Sequence, residues 1–320
     1  MSLASLAAQL LNGLASASSL FLISAGLTLI FGVTRIVNFA HGSLYMLGAY
    51  VAYSVGGALG AYDDSALGFW WAALAAAAVA AVLGALIEVG VLKRLYAAPE
   101  LLQLTATFGV VLIVRDVALA VWGPEDRLGP RVSGFADAVY VAGHALPEYD
   151  LLLLAIGPLV LIALTLLVRR TRFGLVVRAA SENRVLTGAL GIDQSRLFTA
   201  VFALGAALAG LAGALTLPRE PANLGMDLAV IADAFVVTVL GGLGSIPGAF
   251  VAAIVIGVTK ALCIAAGNVS LGAFTFALRS SRSSSNSSSW RSCCWCGRRA
   301  CSARRRRCRR RPQSRSSARW

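Results

Sequence analysis

Three ionisable residues lie inside long apolar segments of this chain. Arg115 and Asp116 are adjacent in the segment 101–122, and Asp233 lies in the segment 228–243. Because a charge in an apolar environment is costly, such residues usually pair with each other or line a polar pathway. We predict that all three lie along a route for a polar solute and that Arg115 pairs with Asp233. The alternative is a pair that only fixes helix register.

The sequence offers no site for nucleotide chemistry or covalent catalysis. Its two lysines, Lys93 and Lys260, do not follow the GxxxxGK[ST] pattern that holds nucleotide phosphates. No nucleophile, base and orienting group recur near one another. We therefore expect no enzyme, no cofactor and no metal site. Energy for any transport must come from a partner protein or an ion gradient.

Composition places the chain in the membrane. It is 58% apolar and only 13% charged, with a mean hydropathy of +0.76. A helix needs about 20 apolar residues to cross the hydrocarbon core. The sequence therefore predicts an all-α, polytopic transmembrane helical bundle with about eight spans. The candidate spans are 6–32, 39–57, 68–92, 101–122, 151–168, 197–217, 228–243 and 247–266.

Basic residues in short loops indicate the cytoplasmic side. Arg35, the Lys93-Arg94 pair and the arginines between positions 169 and 196 mark that side, whereas the loops at Asp63-Asp64 and 125–150 are richer in acidic residues. The N-terminus is then external. Glu88 and Lys260 lie near span ends, so their side chains are expected to reach the interface.

The segment 169–217 joins an arginine-rich turn to a helix rich in Gly and Ala. Gly205, Ala209 and Gly213 recur at four-residue spacing, which allows close packing of helices in a bilayer. The arginine-rich turn is typical of a cytoplasmic docking surface. An arginine-rich inner loop also arises from the general bias of positive charge towards the cytoplasm.

A different composition begins at Arg279. Residues 279–320 carry 14 of the 28 basic residues, no acidic residue and five of the six cysteines. These cysteines lack paired CxxC spacing and a nearby His, which argues against a zinc site. We divide the chain into a transmembrane domain, 1–278, and a tail, 279–320, that we expect to be disordered. The tail is either a polybasic lipid- or nucleic-acid-binding segment or, as we favour, a frameshift product, because GC-rich Val, Leu and Ala codons read out of frame give Ser, Cys and Arg.

Four ordered segments resemble the branched-chain amino-acid ABC-transporter permeases of the leucine/isoleucine/valine type. They are LTLIFGVTRIVNFAHGSLYMLGAYVAY (27–53), TATFGVVLIVRDVALAVWGP (105–124), residues 170–215 and residues 225–257 with VLGGLGSIPGA. The resemblance covers most of residues 8–265. It implies a multi-pass permease of the bacterial inner membrane that works with a second homologous permease, cytoplasmic ABC ATPases and a periplasmic substrate-binding protein.

The resemblance also implies roles for particular residues. It makes the segment 178–193 the surface that docks on the ATPase, through Arg178, Ala179, Ala180, Glu182, Arg184, Gly188, Gly191 and Asp193. The asparagine-phenylalanine-alanine-histidine-glycine sequence, characteristic of the family, places Asn38 and His41 close to the translocation pathway. Asn38 is also suited to cap the second span.

We therefore expect a transport subunit, embedded in the lipid bilayer, that imports branched-chain or related amino acids, short amides or urea. It would work with separate ATPases and would not bind nucleic acid. An ion-coupled secondary transporter is the alternative, although the two halves of the chain show no convincing internal symmetry.

Overall fold

The long apolar runs form helices, because a helix satisfies its backbone N–H and C=O groups within its own segment. The computed structural model describes residues 3–59, 66–96, 98–129, 132, 135, 137–141, 144–266, 268–271 and 274–277. The helices are α1 Leu3–Thr34, α2 Ala40–Ala58, α3 Ala66–Ile87, α4 Lys93–Leu95, α5 Glu100–Trp122, α6 Glu148–Arg170, α7 Arg172–Glu182, α8 Arg184–Ala189, α9 Gln194–Thr216, α10 Met226–Gly241 and α11 Ile246–Ala266. A π-helical segment, Glu88–Leu92, joins α3 to α4.

Six of the described helical stretches are long and apolar enough to cross a membrane. They are Ala7–Thr34, Leu67–Leu95, Glu100–Trp122, Glu148–Arg170, Gln194–Thr216 and Ile246–Ile264. The other two predicted spans coincide with α2 and α10, which fall outside this group. The helical bundle is thus confirmed, whereas the count of about eight spans stays a prediction.

Helices α1 and α9 lie at the centre of the bundle. In their most apolar stretches 72% and 67% of residues are buried, against 22% or less in those of α3, α5 and α6. The predicted packing face of α9 is confirmed. A Cβ at Gly205 would overlap Ile30 of α1, and a Cβ at Gly213 would overlap the backbone oxygen of Tyr45 in α2. Small residues therefore allow three helix backbones to approach closely.

Helix α2 begins inside the bundle rather than at its end. Ala40, in its first turn, packs against Val110 and Val111, which lie halfway along α5. Phe39 contacts Phe235 of α10, with ring centroids 5.3 Å apart. The five residues between α1 and α2 are long enough to cover about 17 Å. The N-terminus of α2 thus lies level with the middle of α5 rather than with the end of the bundle.

Helices α10 and α11 form a tight antiparallel hairpin. Gly242 and Gly244 adopt positive φ angles of 87° and 91°, a conformation that glycine tolerates without a steric penalty. Gly241 packs directly on the backbone of Ala249. Because α10 has 16 residues, it is about 24 Å long, shorter than the hydrocarbon core.

Two short β-hairpins were not part of the all-α prediction. Strand β1 (Ala138–Val141) pairs with β2 (His144–Pro147), and β3 (Asn268–Leu271) pairs with β4 (Phe274–Ala277), both antiparallel. Both lie at the ends of long helices, and β2 leads directly into α6. Two predicted features, the acidic Asp63-Asp64 loop and the tail 279–320, lie outside the described residues.

Candidate functional site

Polar side chains divide the connection between α6 and α9 into short helices. Thr171 accepts a hydrogen bond from the N–H of Gly174 (3.1 Å) and starts α7, and Asn183 accepts one from Leu186 (3.0 Å) and starts α8. The carboxylate of Asp193 accepts one from Ser195 (3.0 Å) at the start of α9. Each cap satisfies a backbone donor that the helix leaves free. Residues 171–193, which we call the α6–α9 connection, therefore form short ordered helices rather than an irregular loop.

The residues predicted to dock on an ATPase divide into two groups. Those on the outer side of the α6–α9 connection are exposed: Arg178, Ala179, Glu182, Gly188, Gly191 and Asp193. Ala180 is buried and Arg184 is half-buried, so both face the rest of the bundle. At Gly191 the φ angle is 81°, and the chain there turns towards α9.

Two arginines join the end of α1 to the α6–α9 connection. Arg184 donates two hydrogen bonds to the backbone oxygen of Val33, from Nε at 3.1 Å and Nη2 at 2.6 Å. In the reverse direction, Arg35 Nη2 lies 3.5 Å from the backbone oxygen of Ser181. Burial, and then the charge of Arg35, lowers the pKa of the Arg184 guanidinium. Sequence reasoning identified both arginines but not the backbone oxygens that they contact.

Glu88 is fully buried, which corrects the expectation that its side chain reaches the membrane interface. Its Oε1 accepts a hydrogen bond from Tyr96 (2.8 Å) and its Oε2 accepts one from Thr199 of α9 (2.5 Å). The carboxylate turns inward because these two hydroxyls replace water as hydrogen-bond donors. No sequence signal indicates the contact, since Glu88 and Thr199 lie 111 positions apart.

Several buried polar atoms lie close together at the first turn of α2. The side-chain oxygen of Asn38 accepts a hydrogen bond from the N–H of Ala40 (3.1 Å), the first residue of α2, although the cap position itself is Phe39, which makes no side-chain cap hydrogen bond. His41 Nε2 lies 3.0 Å from the backbone oxygen of Ile23. Within the described part of the chain, Asn38 Nδ2, His41 Nδ1 and Ser43 Oγ have no hydrogen-bond partner.

Asp227 also belongs to this region, although sequence reasoning missed it. Its backbone packs on Gly42 of α2, and its side chain is buried. Oδ1 accepts a hydrogen bond from the N–H of Leu228 (2.7 Å), whereas Oδ2 has no partner among the described residues. An acidic residue is common in the first turn of a helix, so no sequence signal selects Asp227.

The predicted ion pair between Arg115 and Asp233 is wrong. Asp233 pairs with Lys260 across the α10–α11 hairpin. Lys260 therefore has a carboxylate partner instead of simply reaching the interface, as the sequence suggested. Arg115 is half-buried on α5, and Asp116 is exposed on the same helix. The antiparallel hairpin brings Asp233 to Lys260, which the sequence alone does not reveal.

A second ion pair lies beside the N-terminal half of α1, and sequence reasoning missed it. Arg219 Nε lies 2.9 Å from Asp150 Oδ1, and both side chains are at least four-fifths buried. Arg219 also donates to Ser16 (3.2 Å) and Asn12 (2.6 Å) of α1. The pair joins α1, the start of α6 and the loop after α9. Across the described ranges, no group of three His, Cys, Asp or Glu side chains is arranged to hold a metal.

Comparison with known proteins identifies the family of this chain. A family model described as the branched-chain amino acid transport system permease component matches residues 9–281. The chain belongs to this permease family. With its candidate spans, the permease is a multi-pass membrane protein.

Curated relatives of the permease come from bacteria and an archaeon. It is 31% identical over 260 residues to the high-affinity branched-chain amino acid transport system permease protein BraD of Pseudomonas aeruginosa, covering 79% of this chain and 84% of BraD. It is 29% identical over 274 residues to LivH of Escherichia coli, with the same coverage. A probable LivH of Methanocaldococcus jannaschii is 33% identical over 258 residues, which cover 76% of each chain. No solved structure matches the permease.

Proposed function

We propose that this permease is the membrane-spanning subunit of an ATP-binding-cassette importer. It moves branched-chain or related amino acids across the bacterial inner membrane, and separate ATPase subunits energise it. Short amides and urea are further candidate substrates. The proposal extends to this chain what the names of its relatives state of those proteins, namely branched-chain amino acid transport.

The ordered α6–α9 connection is the observation that carries the proposal. Its outer side presents Arg178, Ala179 and Glu182, followed by Gly188, Gly191 and Asp193. Small residues with charged neighbours suit insertion into a groove of a partner protein. On its inner side Arg184 fixes the connection to α1. Closure of an ATPase dimer would then move the connection, and with it the attached helices, as a rigid body.

The start of α2 is the proposed location of the translocation pathway. A helix N-terminus carries a partial positive charge, and broken helices at membrane depth bind anionic substrate groups in other transporters. Asn38 and His41 place polar atoms at this point that the described part of the chain leaves free. Arg115, Asp116 and Asp233 add charge on the neighbouring helices α5 and α10. A zwitterionic solute would find complementary groups along this route.

The importer requires partners beyond the ATPases. A second homologous permease would pair with this chain, and a periplasmic binding protein would deliver the substrate. The exposed face of α5, which includes Leu101, Phe108, Ile113 and Val117, would contact either lipid or the second permease. These side chains need an apolar neighbour, because the described helices leave them uncovered.

Reconstitution tests this function. The permease is placed in vesicles with the ATPase, second-permease and binding-protein products of its neighbouring genes, and uptake of labelled leucine is measured. Uptake that requires internal ATP and is abolished in an ATPase variant unable to hydrolyse ATP supports the proposal. Leucine uptake driven by an imposed ion gradient without ATP would instead establish the secondary transporter. ATP-dependent uptake of urea but not of leucine would leave the importer function in place and make urea its substrate.

A further inference from the structure

Arg184 binds the C-terminal end of α1, one of the two central helices. The last four carbonyl groups of a helix lack partners within that helix, and Val33 is the penultimate residue of α1. Arg184 donates to its oxygen from two nitrogens. A cation at a helix C-terminus is also favoured by the helix dipole. The α6–α9 connection is therefore fixed to α1 through a charge-assisted contact.

The same guanidinium lies on an aromatic ring of α9. Arg184 Cζ is 4.8 Å from the centroid of the Phe198 ring, within the range of a favourable cation–π contact. The backbone oxygen of Arg184 accepts a hydrogen bond from the side chain of Gln194 (2.5 Å). One residue of the α6–α9 connection thus contacts both central helices, α1 and α9. The planar shape of arginine makes this double contact possible.

From Phe198 the contacts continue to the end of α3. Its ring meets Tyr96 edge-to-face, with centroids 5.3 Å apart, and Tyr96 donates to Glu88 in the π-helical segment. Thr199, the neighbour of Phe198, donates to the same carboxylate. π-Helical turns are common at functional sites. The Glu88 carboxylate therefore connects the end of α3 with Tyr96 and with Thr199 of α9.

We propose that Arg184 is a positioning residue that transmits movement of the α6–α9 connection to α1 and α9, and through Phe198, Tyr96 and Glu88 to α3. This inference rests on the proposed function and adds a mechanism of transmission to it. Arg184 faces Val33 and Phe198 inside the bundle rather than the outer side of the α6–α9 connection. Its loss would separate ATP hydrolysis from transport without removing the docking surface.

The test measures leucine imported per ATP hydrolysed in the reconstituted transporter. Arg184→Ala should lower this ratio at least fivefold, while the ATPase still co-purifies with the permease. Arg184→Lys keeps the charge but loses the double donation and the planar stacking, so its ratio should be intermediate. Arg94→Ala, at an exposed arginine outside the segment 169–217, is the matched control and should retain the wild-type ratio. Tyr96→Phe removes only the hydroxyl that contacts Glu88 and should also lower the ratio.

Two results would overturn the inference. One is an unchanged ratio in Arg184→Ala. The other is loss of ATPase co-purification in Arg184→Ala together with a normal ratio in Tyr96→Phe, which would assign Arg184 to docking alone. Failure of the proposed function itself is recognised separately, because the wild-type transporter would then show no ATP-dependent uptake of leucine.

Discussion

Lys260 forms an ion pair with Asp233 across the hairpin of α10 and α11, 27 positions away along the chain. The pair is partly exposed in the isolated chain. Charged groups at membrane depth normally face a protein interior or a water-filled cavity rather than lipid. The exposed side of this hairpin is therefore expected to face a second permease or the pathway in the assembled transporter.

Exchanging the two charges tests the pair. Asp233→Lys or Lys260→Asp alone places like charges together and should lower both leucine uptake and stability, by about 1 kcal/mol, the scale of polar contacts between membrane helices. The double exchange should restore both. Thermal unfolding in detergent and uptake in vesicles are the measurements. If the double variant is no better than the worse single variant, the pair contributes nothing.

Removing Arg219 should destabilise the permease more strongly. Arg219→Ala leaves the carboxylate of Asp150 buried without its cation and deletes the contacts with Ser16 and Asn12. Loss of one partner of a buried ion pair costs roughly 3 kcal/mol. Thermal unfolding in detergent measures the effect. Arg94→Ala, at an exposed arginine, is the control, and equal unfolding temperatures for the two variants would contradict the assignment.

Close packing of α9 on α2 gives a steric prediction. A Cβ at Gly213 would overlap the backbone of Tyr45, whereas nothing lies within 4 Å of one at Gly109 in α5. Gly213→Ala should therefore lower stability by about 1–3 kcal/mol through overpacking. Gly109→Ala should be neutral or stabilising, because alanine favours the helix. Comparing unfolding of the two variants checks this, and a neutral Gly213→Ala would show that the helices lie further apart.

His41 provides a test of the proposed pathway. His41→Leu keeps a similar volume but removes both ring nitrogens and the hydrogen bond with the backbone oxygen of Ile23, so a stability loss of about 1 kcal/mol is expected. We expect leucine uptake to fall at least tenfold. Tyr50→Phe is the control, because the Tyr50 hydroxyl is likewise buried without a partner among the described residues, whereas its ring stacks on Trp122 about 14 Å further along α2 than His41. Normal uptake in His41→Leu would remove His41 from the pathway.

Local patterns in the sequence predicted the elements of the fold but not the partners within it. Long apolar runs identified the positions of the long helices, and glycine spacing identified the packing face of α9, because both depend on neighbouring residues. The partners of Glu88 and Asp233 depend on which helices are adjacent in space. Thr199 lies 111 positions from Glu88, so no local pattern connects them. For the same reason the depth at which α2 begins became visible only in the structure.

The docking of an ATPase on the α6–α9 connection is the central claim, and a photo-crosslinking amino acid at Ala179 tests it most directly. Ala179 is exposed on the outer side of α7, and Leu128, in the loop after α5, is an exposed control position. In the reconstituted transporter, irradiation should link position 179, but not position 128, to the ATPase subunit, with a yield that changes when ATP is added. Absence of a link at position 179 in a transporter that imports leucine with ATP would contradict the account.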